Sequence, residues 1–134
     1  MIFLDSSLIV AYLNEADFNH AKALQIAKHI GDDTFGPSVI TDYIFDEVVT
    51  VMLVKTKDIT RVQNIGQKLL AANLVLRIDE ELFNSAWRIF TQQKKPVFSF
   101  TDCTSLAACK ANGISNIATF DEDFKKLDEF NTIV

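Results

Sequence analysis

Residues 2–7 read Ile-Phe-Leu-Asp-Ser-Ser, and this stretch indicates the fold class. The three apolar residues predict a short buried strand, and the acid and serines that follow are typical of the start of a helix. Further strands are predicted over residues 74–78, 97–100 and 116–120, each separated from the next by helical patterns. Strands that alternate with helices indicate an α/β sandwich with a mainly parallel sheet.

Helical periodicity fills most of the chain between these strands. Helices are predicted over residues 19–30, 38–55, 58–72, 80–93 and 101–112, with Asp79 as the N-cap of the fourth. A short helical turn over residues 121–127 and an edge strand over 132–134 complete the chain. Segment 38–55 is the most apolar of the helices, so we expect it to be largely buried.

The composition fits one globular unit. With 134 residues, 49% of them hydrophobic and 23% charged, the chain is predicted to form a single domain over residues 1–134. No apolar stretch approaches the roughly 20 residues needed to span a bilayer. The first residues do not resemble a secretory signal, and Cys103 and Cys109 are too poorly placed to form a disulfide. We therefore expect a cytoplasmic protein with no membrane partner.

Three aspartates follow predicted strands at their carboxyl ends. Asp5 ends the first strand, Asp102 opens the helix after strand 97–100, and Asp121 follows strand 116–120. Because ligand sites of open parallel sheets lie beyond the carboxyl ends of the strands, we expect these carboxylates to meet at one edge. The alternative is that each aspartate only caps a helix, although Ser6 and Thr101 stand beside two of them as other caps.

Glu47 is a fourth candidate, because it interrupts a helical row that is otherwise apolar. A buried carboxylate must be neutral, paired or bound to a metal, and no Lys or Arg stands upstream at helical spacing to pair with it. Two alternatives remain open. This part of the helix could be exposed around Asp42 and Asp46, or a one-residue difference in helix phase could exchange the roles of Asp46 and Glu47.

Clustered carboxylates of this kind predict a divalent-cation site. Four carboxylates in one pocket repel each other unless a cation neutralises them. All-oxygen ligation suits Mg²⁺ or Mn²⁺, whereas zinc sites use His or Cys. Such ions activate water for hydrolysis of a phosphodiester, and they bridge acids to phosphate, so a net charge of −5 is compatible with a nucleic-acid substrate. His20 and His29 are predicted to be surface or packing residues.

These residues together resemble the PIN domain, and within it the toxin ribonucleases of VapBC-type toxin–antitoxin modules. The likeness covers nearly the whole chain and rests on residues 2–7 with Tyr12-Leu13, on Glu47-Val48, on residues 99–102 and on residues 118–124. It implies a PIN-like three-layer α/β/α sandwich with a short-stranded central sheet. It also implies metal-binding acids at Asp5, Glu47, Asp102 and Asp121, Asp123 as a further ligand, and Thr101 as a polar neighbour.

The activity that the resemblance implies is that of an Mg²⁺- or Mn²⁺-dependent endoribonuclease. Such a protein acts on RNA, forms a homodimer and is blocked by a cognate antitoxin. Two alternatives share the fold: a non-catalytic RNA- or protein-binding module, and a structure-specific DNA nuclease that uses the same acids. Basic residues are scattered along the chain, so an RNA substrate is inferred from the metal site and not from a basic patch.

Overall fold

The computed structural model describes all 134 residues. Its strands are β1 (Ile2–Leu4), β2 (Ser38–Thr41), β3 (Leu74–Leu76), β4 (Asn116–Ala118) and β5 (Asn131–Ile133). Its helices are α1 (Ser6–Leu13), α2 (His20–Gly31), α3 (Asp42–Thr56), α4 (Ile59–Ala72), α5 (Glu80–Thr91) and α6 (Phe100–Ala111). One turn of 3₁₀ helix, Phe124–Lys126, precedes β5. None of the helices combines the length and apolar character that crossing a bilayer requires.

The strands form one sheet in the order β3-β2-β1-β4-β5, and every neighbouring pair is parallel. The chain runs outward from β1 through β2 to β3, and then returns to place β4 on the other side of β1. This reversal makes the carboxyl ends of β1 and β4 a topological switch point, where ligands bind in open α/β sheets. The predicted α/β class with a parallel, short-stranded sheet is confirmed.

Helices cover both faces of the sheet. Phe3 of β1 packs in the larger core cluster with Ile44 of α3 and Leu106 of α6. Its neighbour Ile2 packs in a second cluster that includes Ile26 of α2. Because successive residues of a strand point to opposite faces, α2 lies on one side of the sheet and α3 and α6 lie on the other. The predicted three-layer α/β/α sandwich is therefore confirmed.

The helix predicted over residues 38–55 is wrong in its first turn. Residues 38–41 form β2 between β1 and β3, and the helix begins only at Asp42. Periodicity cannot separate a short buried strand from the start of a buried helix. Val39 and Ile40 are fully buried and β-branched, which favours a strand. Thr41 then caps α3 by accepting the backbone N–H of Ile44 at 3.1 Å.

The strand predicted over residues 97–100 does not form. The side-chain oxygen of Gln93 accepts the backbone N–H groups of Val97 and Phe98 at 3.2 and 2.8 Å, and its nitrogen donates to the Phe98 carbonyl at 3.0 Å. These bonds occupy the backbone groups that a strand would offer to a neighbour. Helix α6 begins directly afterwards at Phe100, so the start of a helix, and not the end of a strand, places Asp102.

Candidate active site

Asp5 lies directly after β1 at the switch point and is only 4% exposed. Its backbone N–H donates to the Ala118 carbonyl of β4 at 3.0 Å, which fixes its position between the two strands. Its side chain also begins α1, because Oδ2 accepts the backbone N–H of Ser7 at 3.3 Å. The helix-cap interpretation is therefore correct for Asp5, but the cap uses only one of the two carboxylate oxygens.

Two hydroxyl groups complete the surroundings of Asp5. Ser7 Oγ and Thr119 Oγ1 both donate to Asp5 Oδ2, at 2.5 and 2.8 Å. Asp5 Oδ1 accepts no hydrogen bond, and since every fully buried side-chain oxygen of the protein has a partner, Oδ1 retains some contact with solvent. Neither Ser7 nor Thr119 was among the site residues predicted from the sequence. The available signal was that each lies two positions from a candidate aspartate.

Asp102 lies in the first turn of α6, where it forms a capping box with Ser99. The Asp102 backbone N–H donates to Ser99 Oγ at 3.1 Å, and the Ser99 backbone N–H donates to Asp102 Oδ2 at 2.8 Å. The N-cap of α6 is therefore Ser99 and not Thr101, whose carbonyl accepts the Thr104 hydroxyl at 2.6 Å. As in Asp5, one carboxylate oxygen is held by the backbone and the other has no protein partner.

The electrostatics of Asp102 show which acids lie near it. Partial burial raises the pKa of Asp102 above its ordinary value, and the negative charges of Asp5 and Asp121 raise it further. The hydrogen bonds from Ser99 act in the opposite direction and do not cancel the effect. The structure therefore brings Asp5, Asp102 and Asp121 into one electrostatic neighbourhood, although they are widely separated along the chain.

Asp121 is held by the loop that follows β4. Its backbone N–H donates to Thr119 Oγ1 at 2.9 Å, and its Oδ1 accepts the backbone N–H of Asp123 at 2.8 Å. Asp123 differs from the other acids because its carboxylate forms an ion pair with Lys126. The hydrogen bond that Lys126 donates to Asp123, together with the negative charge of Asp123, raises the pKa of the Lys126 ammonium. Lys126 binds only Oδ1 of Asp123, but its positive charge makes Asp123 a weaker ligand for a cation than the three unpaired aspartates.

Glu47 lies in the middle of α3, half-buried and without a hydrogen-bond or ion-pair partner. Asp46 is exposed and Val48 is buried, so the helix phase turns Glu47 inward in preference to Asp46. One turn earlier, the ring centroid of Tyr43 lies 6.1 Å from that of Phe100, which brings this part of α3 beside the start of α6. The charges that raise the pKa of Asp102 are those of Asp5 and Asp121 and do not include Glu47, so the structure groups the three aspartates without showing that Glu47 joins them.

The three aspartates share an arrangement that suits a cation. In each, one carboxylate oxygen accepts a backbone N–H and the other has no protein partner. This pre-orients acceptor oxygens of the kind that Mg²⁺ and Mn²⁺ prefer. No three Asp, Glu, His or Cys side chains, however, lie close enough to surround one ion. The residues fit a divalent cation by chemistry and orientation, but they would have to move closer together to bind it.

Some of the basic residues are already paired with acids. Three lysines form ion pairs, Lys110–Glu129, Lys125–Glu122 and Lys126–Asp123. Exposed ion pairs of this kind are common features of solvated surfaces. These three lysines therefore add little to any attraction for a phosphate backbone, to which a cation at the carboxylates could contribute.

Comparisons with known proteins concern the family and the fold. A family model described as PIN domain matches residues 2–130. The chain is 29% identical over 127 residues to the 23S rRNA-specific endonuclease VapC20 of Mycobacterium tuberculosis, covering 92% of each chain. The crystal structure of VapC20, described as a sarcin-ricin loop cleaving toxin, superposes with a TM-score of 0.80 at 25% identity and covers 94% of both chains.

Two further solved structures share the fold at lower identity. VapBC2 from Rickettsia felis, bound to a DNA fragment from its promoter, has a TM-score of 0.69 at 16% identity and covers 99% of this chain and 98% of its own. A toxin–antitoxin complex from Klebsiella pneumoniae has a TM-score of 0.68 at 14% identity, with 100% and 97% covered. At these identities the likeness concerns the fold alone.

Proposed function

Because the chain belongs to the PIN-domain family, we propose that it is an Mg²⁺- or Mn²⁺-dependent endoribonuclease and the toxin of a toxin–antitoxin module. The observation that carries the proposal is the group of Asp5, Asp102 and Asp121, each with one oxygen held and one free. With Glu47, these are the proposed catalytic and metal-binding residues. RNA as the substrate is supported by the similarity to VapC20, which is named as an rRNA endonuclease.

The chain's own contribution to such a reaction is to hold the carboxylates in place. Asp5 is fixed by β1 and α1, Asp102 by the capping box of α6, and Asp121 by the loop after β4. Without a cation these negative groups would repel a phosphodiester, which is why we propose that activity depends on metal. A divalent cation, when bound, supplies Lewis-acid activation of water and neutralises charge on the phosphate.

A matched pair of variants in α3 tests the site directly. Glu47→Gln and Asp46→Asn remove one negative charge each from neighbouring positions, but only Glu47 is turned inward. We expect Glu47→Gln to abolish Mg²⁺- or Mn²⁺-dependent cleavage of structured RNA and Asp46→Asn to retain it. Asp5→Asn should also be inactive, and EDTA should stop cleavage by the wild type. Full activity of both Glu47→Gln and Asp5→Asn would overturn the proposed catalyst.

The two alternatives predict different results in the same assay. A structure-specific DNA nuclease would cut duplex or flap DNA faster than RNA when the substrates are digested in parallel. A non-catalytic binding module would retain RNA without cutting it at millimolar Mn²⁺, and calorimetry would detect no saturable binding of Mn²⁺. Metal-dependent RNA cleavage that exceeds DNA cleavage is the result that we expect.

We further propose that a cognate antitoxin covers the cavity between α1, α2 and α4. This cavity of about 590 Å³ has mostly apolar walls, and it is lined by Leu4, which precedes Asp5, and by Leu8 of α1. Arg61 and Lys68 also line it, so an apolar segment with acidic side chains would fit its charge. Lys68→Glu should weaken binding of the protein encoded beside this gene, measured by calorimetry, and leave RNA cleavage intact.

A homodimer is proposed through the aromatic face of α5, defined by Phe83, Trp87 and Phe90. These side chains are 43%, 54% and 36% exposed and surround Phe100, with ring centroids 5.1 to 6.4 Å from it. Acidic residues begin α5, and basic residues lie near and beyond its end: Glu80 and Glu81, then Arg88, Lys94 and Lys95. Two antiparallel copies of this face would therefore be complementary in charge, as a two-fold interface requires.

Sedimentation tests the homodimer with a matched control. Trp87→Ala should shift the protein toward the monomer, whereas Phe18→Ala, which removes a fully exposed ring from the connection between α1 and α2, should not. Equal dimer stability in the two variants would rule out the aromatic face as the interface.

A cytoplasmic location and a single domain over residues 1–134 remain predictions. The two free, buried cysteines suit a reducing compartment.

A further inference from the structure

We propose that Ser7 and Thr119 are positioning residues whose hydroxyl groups hold Asp5 so that only its Oδ1 faces a bound cation. The same hydroxyls connect Asp5 to the loop that carries Asp121. This inference rests on the proposed metal-dependent function and assigns a role within that site to two residues that are not metal ligands.

The hydrogen bonds at Asp5 define the orientation of its carboxylate. A carboxylate only accepts, and each hydroxyl has a single proton to donate. Both protons are directed to Asp5 Oδ2, from Ser7 Oγ at 2.5 Å and from Thr119 Oγ1 at 2.8 Å. The 3.2 Å contact between the two hydroxyl oxygens therefore has no proton of its own, and the shared acceptor holds them together. Rotation of the Asp5 carboxylate would break both bonds at once.

The lone pairs of the same hydroxyls accept bonds from the loop after β4. Ser7 Oγ accepts the backbone N–H of Phe120 at 3.0 Å, and Thr119 Oγ1 accepts that of Asp121 at 2.9 Å. Each hydroxyl thus donates to Asp5 and accepts a backbone N–H of the loop, that of Phe120 in the case of Ser7 and that of Asp121 in the case of Thr119. The distance between Asp5 and Asp121 is consequently set by two side chains that span the switch point.

Burial makes these bonds important for the position of Asp5. Thr119 is fully buried and Asp5 is 4% exposed, so water cannot readily replace a missing hydroxyl. Removing the Thr119 hydroxyl would leave Asp5 Oδ2 with fewer donors and the Asp121 N–H without its acceptor. Without this donor the Asp5 carboxylate can rotate away from the orientation that the two hydroxyls impose. We therefore expect the affinity of the site for the cation to fall.

The test compares Thr119→Val, which keeps the shape and removes the hydroxyl, with Thr119→Ser, which keeps the hydroxyl. Mn²⁺ binding is measured by calorimetry on full-length protein, together with RNA cleavage as a function of Mn²⁺ concentration. Thr119→Val should weaken Mn²⁺ binding by about 10- to 100-fold, the usual effect of losing a group that orients a metal ligand. Thr119→Ser should restore most of the affinity.

The control is Thr56→Val. It removes a hydroxyl that donates to the Met52 carbonyl at the far end of α3, and it should leave Mn²⁺ binding unchanged.

The outcomes separate the positioning role from the proposed function. Wild-type Mn²⁺ affinity in a folded Thr119→Val protein, with the wild type active, would overturn the positioning role and leave the function standing. If Thr119→Val fails to fold, Ser7→Ala replaces it, since Ser7 donates to the same oxygen, and unchanged affinity there has the same meaning. A wild-type protein that neither binds Mn²⁺ nor cleaves RNA would end both proposals.

Discussion

Replacing Asp102 by asparagine should stabilise the cation-free protein, although this residue belongs to a helix cap. The raised pKa of Asp102 means that the folded state favours its neutral form. Asparagine is neutral and almost the same shape, and its side-chain oxygen can still accept the Ser99 backbone N–H that now bonds at 2.8 Å. The substitution therefore removes the cost of burying a negative charge, which is the largest cause of the raised pKa, removes the smaller repulsion from Asp5 and Asp121, and keeps the cap.

Alanine at the same position separates the two effects. It removes the same charge, but it also removes the acceptor for the Ser99 N–H. Loss of a capping side chain costs about 0.5–2 kcal/mol. We therefore expect Asp102→Ala to be less stable than Asp102→Asn by about 1 kcal/mol, or about 3–5 °C in Tm for a chain of this length.

Urea and thermal unfolding in EDTA at low salt measure these differences. The control is Asp58→Asn, because Asp58 caps α4 at an exposed position and asparagine caps equally well, so little change is expected there. The part of the gain in Asp102→Asn that comes from repulsion should shrink at high salt, where repulsion is screened, and the part that comes from burial should remain. An Asp102→Asn protein less stable than the wild type, with Asp58→Asn unchanged, would refute the reasoning from burial and repulsion.

Three further predictions follow from burial. The pKa of Asp102 is raised on folding, so between its ordinary value of 3.8 and the raised value the folded state binds more protons than the unfolded state. Asp102 therefore makes the free energy of unfolding fall as pH rises through that window. Urea unfolding of Asp102→Asn at several pH values should lack this slope. Burial raises the pKa of Cys103 to about 11 and that of Cys109 to about 12, so neither thiol should react with a disulfide reagent at neutral pH until urea unfolds the protein. Phe124 is fully buried with its ring centroid 5.3 Å from that of Phe98, and Phe124→Ala should cost about 3–5 kcal/mol in urea unfolding; a cost below about 1 kcal/mol would contradict this packing.

The sequence was sufficient wherever local chemistry and tertiary packing favour the same structure. Residues 2–7 combine a strand and a helix start, and both form. Residues 38–41 and 97–100 are short apolar stretches of similar appearance, yet only the first is a strand. The sheet has a place for it between β1 and β3, whereas Gln93 binds the backbone of the second. No periodicity within either stretch reveals that difference.

In the candidate site, too, the sequence predicted the placement of some residues and not of others. The position of Asp5 and Asp121 after strands predicted their approach, because parallel strands end at one edge. Asp102 reaches the group by a different route, from the capped start of α6. The roles of Ser7 and Thr119 could not be predicted, because Thr119 meets Asp5 across 114 positions of sequence and only the folded sheet places them together.

The central place of β1 also affects how the protein forms during synthesis. Ile2 to Leu4 pair with Asn116 to Ala118, so the ribosome must produce more than a hundred further residues before the first strand meets this neighbour. Until then the nascent chain carries Asp5 without the Thr119 hydroxyl, and the carboxylates that define the site are not yet gathered. A protein that cuts RNA would in this way be made beside its own template in an incomplete form and would acquire its chemistry only after the segment that carries Thr119 and Asp121 had been synthesised.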